Sequence, residues 1–272
     1  MTTIGFIGAG NMASALAGGL LARGFKLGQL ALSDSSAVAL EPHKSRGVFT
    51  TSDNLELLKR SDVLVLAVKP QVMAEVLRPL ADLAQEQRPL IISIAAGIPA
   101  ASIERWLGGP LSVVRAMPNT PALVQTGATG LYANERVSPE QKAQAETILG
   151  AVGLTLWVER EELIDAVTAV SGSGPAYFFY VMEAMIAAGV ELGLDEKTAR
   201  ALTLQTALGS AQMAITSDVD PGELRRRVTS PGGTTERAVA TFDQADLRAT
   251  FVAALKACAA RGGELAAQLG AD

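Results

Sequence analysis

Apolar and polar positions follow two regimes along this chain. Up to about residue 160, short apolar runs alternate with stretches of helical period; beyond Glu161 every patterned stretch is helical. The first run, Thr3-Ile4-Gly5-Phe6-Ile7, breaks into Gly8-Ala9-Gly10-Asn11-Met12-Ala13, and helical spacing takes over across 11–23. Residues 30–33 read as a short buried strand, 36–45 as a helix in spite of Pro42, and 47–49 as a short strand. A helix capped by Ser52 or Asp53 follows. Residues 62–68 form the clearest strand, continuous, apolar and β-branched, and Pro70 stops it. A helix over 72–83, a strand over 90–94, a helix over 99–107 and a strand over 112–116 continue the alternation. Two more strands, 127–133 and 155–158, flank a helix at 139–149.

Strands alternating with helices predict an α/β fold: an N-terminal Rossmann-type, doubly wound, mostly parallel sheet with right-handed crossovers. An all-α dimerisation domain follows it, with helices at 175–192, 196–216, 223–228, 235–242 and 247–269. The expected domains are 1–160 and 161–272. The long helices are Ala-rich and apolar on much of their circumference, so they bury more than one stripe, either in a compact bundle or, the preferred reading, against a second subunit.

Composition narrows the class. At 272 residues the chain is long enough for two domains, and 49% hydrophobic with 19% charged residues suits a folded globular protein. A formal charge of −5 argues against a nucleic-acid partner. The single cysteine, Cys258, and single histidine, His43, exclude a disulfide framework and a multi-histidine metal centre within the chain. His43 is expected as a polar residue in a surface helix, and Cys258 as a small buried hydrophobe. No apolar run is long enough to span a bilayer and no leader pattern precedes the first strand, so a cytoplasmic location without a membrane partner is expected.

Gly8-x-Gly10-x-x-Ala13 between a strand and a helix is the context of a dinucleotide fingerprint. Gly8 permits the turn, Gly10 admits a pyrophosphate, Ala13 keeps the helix close, and the helix N-terminus offers N–H groups to phosphate. Gly8, Ala9, Gly10, Asn11 and Met12 are the candidate contacts. A plain strand-to-helix corner accounts for the same residues. Asp34 follows the second strand, where a carboxylate accepts from a ribose hydroxyl or caps the next helix. A carboxylate there repels a 2′-phosphate and leans toward NADH, while Ser33, Ser35 and Ser36 are candidates to bind that phosphate with Lys44 and Arg46 near in sequence, so the cofactor stays NADPH or NADH. Asn54 is a cofactor contact or a helix cap. Ala67-Val68-Lys69-Pro70 ends the clearest strand on the edge expected to face ligand, with Lys69 otherwise a surface charge. Arg115-Ala116-Met117-Pro118-Asn119-Thr120-Pro121 crosses the same crevice or is a rigid crossover. Ser171-Gly172-Ser173-Gly174-Pro175-Ala176-Tyr177 is a hinge and helix start, or lets the backbone approach the nicotinamide. In Val228-Thr229-Ser230-Pro231-Gly232-Gly233-Thr234-Thr235-Glu236 the N–H groups of Gly233, Thr234 and Thr235 form a nest for a small carboxylate, or a capped turn.

These stretches, in this order and spacing, resemble the pyrroline-5-carboxylate reductases over nearly the whole chain. The resemblance implies NAD(P)H-dependent reduction of 1-pyrroline-5-carboxylate to L-proline, the last step of proline synthesis, by an intertwined homodimer that assembles further. It implies substrate binding by Ser230, Gly232, Gly233, Thr234 and Thr235. Thr235 matches the threonine proposed to touch the substrate nitrogen and is the candidate catalytic residue. Asp34 departs from members with a neutral residue there, and Arg227 and Thr234 stand where members vary. A cyclic imine is already electrophilic, so aligning donor and acceptor suffices without a metal. Thr235 is a poor acid near neutral pH and is expected to orient and polarise. Two rivals keep part of the pattern. A 3-hydroxy-acid or other imine reductase usually carries a lysine on the first long interdomain helix, and 175–192 has none. A non-catalytic dinucleotide sensor needs no second anion nest.

Overall fold

The structure, a computed structural model, describes residues 2–270. It divides into two compact units: residues up to Gly174 together with Ala257 onward, and Pro175–Lys256. The change from strand to helix falls near residue 160, as the sequence pattern has it. The packing boundary lies later, because the helical turns after the last strand pack back on the sheet.

In the first unit, among the described residues, eight strands form one sheet in the order β3-β2-β1-β4-β5-β6-β7-β8. They are β1 (Ile4–Ile7), β2 (Leu30–Ser33), β3 (Phe49–Thr51), β4 (Val63–Leu66), β5 (Leu90–Ser93), β6 (Val113–Met117), β7 (Gly127–Ala133) and β8 (Gly153–Trp157). All neighbours are parallel except β6 and β7, whose short connection allows only an antiparallel return. The helices are α1 (Asn11–Ala22), α2 (Ala37–Lys44), α3 (Asn54–Leu58), α4 (Met73–Leu77), α5 (Ala81–Gln87), α6 (Ala100–Trp106), α7 (Pro139–Leu149) and α8 (Leu163–Val167).

Strand alternation sorts the core onto both faces. Phe6, Val63 and Val65 join Ala13, Leu16 and Leu149 on one face, under α1 and α7. Ile7, Leu64 and Leu66 join Leu57, Leu77 and Ile103 on the other, under α3 to α6. Burial on both faces explains the uninterrupted apolar run of β4.

Three expected elements shift. The helix expected over 72–83 is α4 and α5 separated by a 3₁₀ turn at Arg78–Leu80, because Pro79 cannot donate to the helical ladder and its ring crowds the preceding turn. The strand expected at 47–49 begins at Phe49: Gly47 and Val48 close α2, donating to Lys44 O (2.9 Å) and His43 O (3.1 Å). The last strand starts earlier, at Gly153. On β6, Arg115 is buried and pairs with Glu161 (3.0 Å), which also accepts the N–H of Ala100 (2.7 Å). The end of the chain returns to this unit, where Ser102 Oγ donates to Gly270 O (3.0 Å).

The second unit is helical throughout. α9 (Gly174–Glu191) enters it, α10 (Glu196–Thr216), α11 (Pro221–Arg227) and α12 (Thr234–Gln244) follow, and α13 (Leu247–Leu269) leaves it. Asp195 caps α10 by accepting from Thr198 N (3.0 Å), and Ala199 and Thr203 are buried. The rest of α9 and α10 leaves large apolar side chains open: Phe178 is 66% exposed, Tyr180 73% and Ile215 84%. So many open apolar side chains on two helices fit an association face. Among the described residues no helix is long and apolar enough to cross a membrane.

Candidate active site

The strand order reverses between β1 and β4, which opens a crevice at their carboxyl ends. The glycine turn sits there. Gly8 donates to Ser33 O (2.7 Å), and beside it Ala67 donates to Ile7 O (2.8 Å). Gly8 has φ +99°, and a Cβ on it would stand 2.7 Å from the Ala67 carbonyl oxygen. Only glycine fits this place. Gly10 differs: it is the N-cap of α1 with φ −71°, and a Cβ there would meet open space. That space is what close approach of a diphosphate requires, so the turn fits a dinucleotide cofactor. Ala13 is fully buried against the core, Asn11 is exposed and Met12 half-buried.

Asp34 does not cap α2; Ser36 does, accepting from Ala39 N (3.4 Å). The half-buried Asp34 carboxylate instead braces the turn. Its Oδ2 accepts the N–H of Ala9 (2.8 Å) and its Oδ1 the N–H of Ser36 (2.8 Å). Ser33 is enclosed, and its hydroxyl donates to Asn54 Oδ1 (2.6 Å). Its side chain therefore holds Asn54 in place rather than facing the crevice. Asn54 is not a cap either, since Asp53 Oδ1 takes the N–H of Leu55 (2.8 Å). Ala67 and Val68 are half-buried at the end of β4, Lys69 is exposed, and Pro70 opens a 3₁₀ turn.

His43 overturns its expectation of a surface position. It is buried at 4% exposure, and its Nε2 lies 3.0 Å from Ser14 Oγ, itself 3.3 Å from Ala9 O. The lone histidine thus supports the same turn from behind. Burial, and then the Arg46 charge, hold its pKa below the ordinary value. The signal was present: His43 stands three residues after Leu40, on the buried face of α2. Cys258 is half-buried rather than buried, and its thiol donates to Ser173 Oγ (3.4 Å).

Two motifs distant in sequence meet through Asn119. Its Nδ2 donates to Ser171 O (3.1 Å), and its Oδ1 accepts from Ala128 N (2.9 Å). Neither Gly172 nor Gly174 has positive φ. Gly172 lies in a π-turn (Thr168–Gly172) where a Cβ would come 3.2 Å from Met117 Cγ, so close packing is the reason for that glycine. No local pattern signals the role of Asn119.

In the second unit, the turn before α12 is built from Ser230, Gly232 at φ +71° and Gly233 as N-cap. Gly233 N–H is spent on Ser230 O (3.0 Å), which removes it from the expected nest. Gly232 N–H is taken by Glu236 Oε2 (2.7 Å). Glu236, the third residue of α12, folds back as a capping-box glutamate does. Thr234 and Thr235 begin the helix, both exposed, with first-turn N–H groups that have no helical carbonyl to reach.

Comparison with known proteins matches a family model described as pyrroline-5-carboxylate reductase dimerisation over residues 161–265. A model described as NADP oxidoreductase, coenzyme F420-dependent, matches residues 3–97. A pyrroline-5-carboxylate reductase of Pseudomonas aeruginosa is 55% identical over 270 residues, covering 98% of each chain. The chain belongs to the pyrroline-5-carboxylate reductase family. The solved reductase of Coxiella burnetii superimposes with a TM-score of 0.93 at 46% identity, covering 97% of this chain and 98% of that one. The pyrroline carboxylate reductase of Plasmodium falciparum, solved with NADP bound, gives 0.86 at 31% identity over the same shares. Within the family's plan, the glycine turn lies in the nucleotide-binding half and the turn before α12 in the dimerisation half.

Proposed function

We infer that this chain is a pyrroline-5-carboxylate reductase, reducing 1-pyrroline-5-carboxylate to L-proline with NADPH or NADH, as a cytoplasmic homo-oligomer whose subunits intertwine. The observation that carries this reading is 55% identity, over 98% of each chain, to a reductase of that name. The reduced nicotinamide supplies the hydride. The chain's own residues bind and orient. Gly8, Ala9, Gly10, Asn11 and Met12 hold the pyrophosphate at the start of α1. Asp34 and Asn54 face the adenosine ribose, with Ser33 behind Asn54. The backbone of Ala67, Val68, Lys69 and Pro70 lines the nicotinamide side.

Ser230, Gly232, Gly233, Thr234 and Thr235 shape the place for the substrate. Its carboxylate takes the first-turn N–H groups of Thr234 and Thr235, where the helix dipole adds to the attraction. The Thr235 hydroxyl lies against the ring nitrogen and orients the imine carbon; the hydride goes to that carbon and one proton, from water, from Thr235 or taken up before binding, goes to the nitrogen to give the amine. The open apolar faces of α9 and α10 support the homo-oligomer. The experiment is loss of reduced-nicotinamide absorbance with the imine, followed by detection of proline. Cofactor binding without that loss would overturn the reading.

A further inference from the structure

The loop that follows β6 carries a buried amide whose bonds bear on hydride transfer. The ends of β4, β5 and β6 lie side by side along the edge that bounds the crevice: Leu66 is in register with Ser93, and Ser93 with Arg115. Neighbouring strands stand about 5 Å apart, so β6 ends about 10 Å across from β4. Met117 projects two residues, about 7 Å, past that line. It meets the π-turn Thr168–Gly172, where a Cβ on Gly172 would stand 3.2 Å from its Cγ and 3.3 Å from its Sδ. The turn is closed by the Ser173 N–H on Thr168 O (2.8 Å), and single π-turns of this kind recur at functional sites. The α-helical donor to Ser171 O would be the N–H of residue 175, and Pro175 has none. Asn119 supplies a donor in its place through Nδ2 (3.1 Å), while its Oδ1 takes the Ala128 N–H at the start of β7 (2.9 Å). The side chain is buried, so both bonds run in a low dielectric.

We propose that Asn119 is a positioning residue for hydride transfer: by holding the π-turn on Met117 it fixes the far wall of the space in which nicotinamide and imine meet. Asn119 touches neither reactant. It acts through Ser171, Gly172 and Met117, across the end of β5 from the backbone of Ala67, Val68, Lys69 and Pro70. The imine is already electrophilic, so alignment is the main work left to the protein, and a displacement of about 1 Å can cost about a hundredfold in rate. Without Asn119 the π-turn keeps its contact with Met117 and loses the bond that fixes it there. The inference rests on the proposed reduction and deepens its account of how the reactants are aligned.

The test is single-turnover, stopped-flow oxidation of NADPH and of NADH by 1-pyrroline-5-carboxylate, with cofactor deuterated at C4 identifying hydride transfer as the step observed. Asn119→Asp, assayed near pH 8 where a carboxyl is ionised, keeps the acceptor for Ala128 and sets a carboxylate oxygen against Ser171 O. It therefore frees the π-turn and leaves the start of β7 bonded. Asn119→Leu keeps the volume and makes neither bond. The transfer rate is expected to fall about tenfold or more in each variant, with cofactor affinity by fluorescence within about threefold of wild type. Denaturant titration sets conditions in which each variant is folded. A purely structural amide would lower the denaturation midpoint and leave the transfer rate unchanged, and that result in either folded variant overturns the proposal. A loss confined to cofactor affinity overturns it as well. A wild type that binds cofactor and never oxidises it with the imine overturns the proposed reaction, and the positioning role with it.

Discussion

Gly8 and Gly10 stand two residues apart in one turn, yet alanine should act on them in opposite ways. At Gly8 two penalties combine. A φ of +99° costs a non-glycine residue about 1–3 kcal/mol. The added Cβ would sit 2.7 Å from the Ala67 carbonyl oxygen, where about 3.3 Å is the closest comfortable approach. Relief means moving β1 from β4 or flipping Gly8, and a flip breaks its bond to Ser33 O (2.7 Å), worth about 1 kcal/mol. Gly8→Ala should therefore destabilise the protein by about 2–4 kcal/mol. At Gly10 the backbone (φ −71°, ψ −175°) suits alanine and the Cβ meets nothing. Loss of N-cap preference and gain in chain stiffness nearly offset, leaving stability within about 1 kcal/mol of wild type. The methyl group nevertheless fills the space assigned to the pyrophosphate, and cofactor affinity should fall by about tenfold or more. Denaturant titration and cofactor fluorescence titration of both variants make the assay. A Gly10→Ala protein with wild-type affinity refutes the placement of the diphosphate. A Gly8→Ala protein as stable as wild type refutes the strain.

Thr235→Ala should lower kcat roughly 10–100-fold, the loss of one hydrogen bond to a reacting atom, while cofactor affinity measured by fluorescence stays within about twofold. Unchanged turnover removes Thr235 from the mechanism. Glu161→Ala strands a guanidinium that is 7% exposed and should cost about 2–3 kcal/mol in denaturant titration. Breaking the exposed Arg261–Glu264 pair should cost under about 0.5 kcal/mol in the same assay. His43 is held neutral by burial, so the unfolded chain binds more protons below about pH 6.5. Its contribution is present in full above that pH and is lost as pH falls toward the lowered folded value. Denaturation midpoints compared with His43→Gln, which keeps a partner for Ser14, should show this dependence only in the wild type.

Short-range pattern sufficed for much of this protein. The apolar run of β4, the strand–glycine–helix start and the small-residue helices beyond residue 160 each announce themselves within a few residues, because strand and helix periods are local properties. A proline's missing donor is local too, yet Pro79 splits the 72–83 stretch while Pro42 leaves α2 whole, so the proline alone does not say which helix breaks. What only the tertiary structure decided are pairings across long separations. Asp34 reaches Ala9 over 25 positions, His43 reaches Ser14 over 29, and Asn119 reaches Ser171 over 52. Residue type gave Asp34 two roles, ribose acceptor or helix cap; the fold hands the cap to Ser36 and adds another role by bringing the Ala9 N–H to the Asp34 carboxylate. Likewise Ser33 was a fair candidate by position, but the sheet buries it and leaves Asn54 in front. Spacing along a chain reports which face a side chain takes; which polar groups find one another across the fold depends on how whole elements pack.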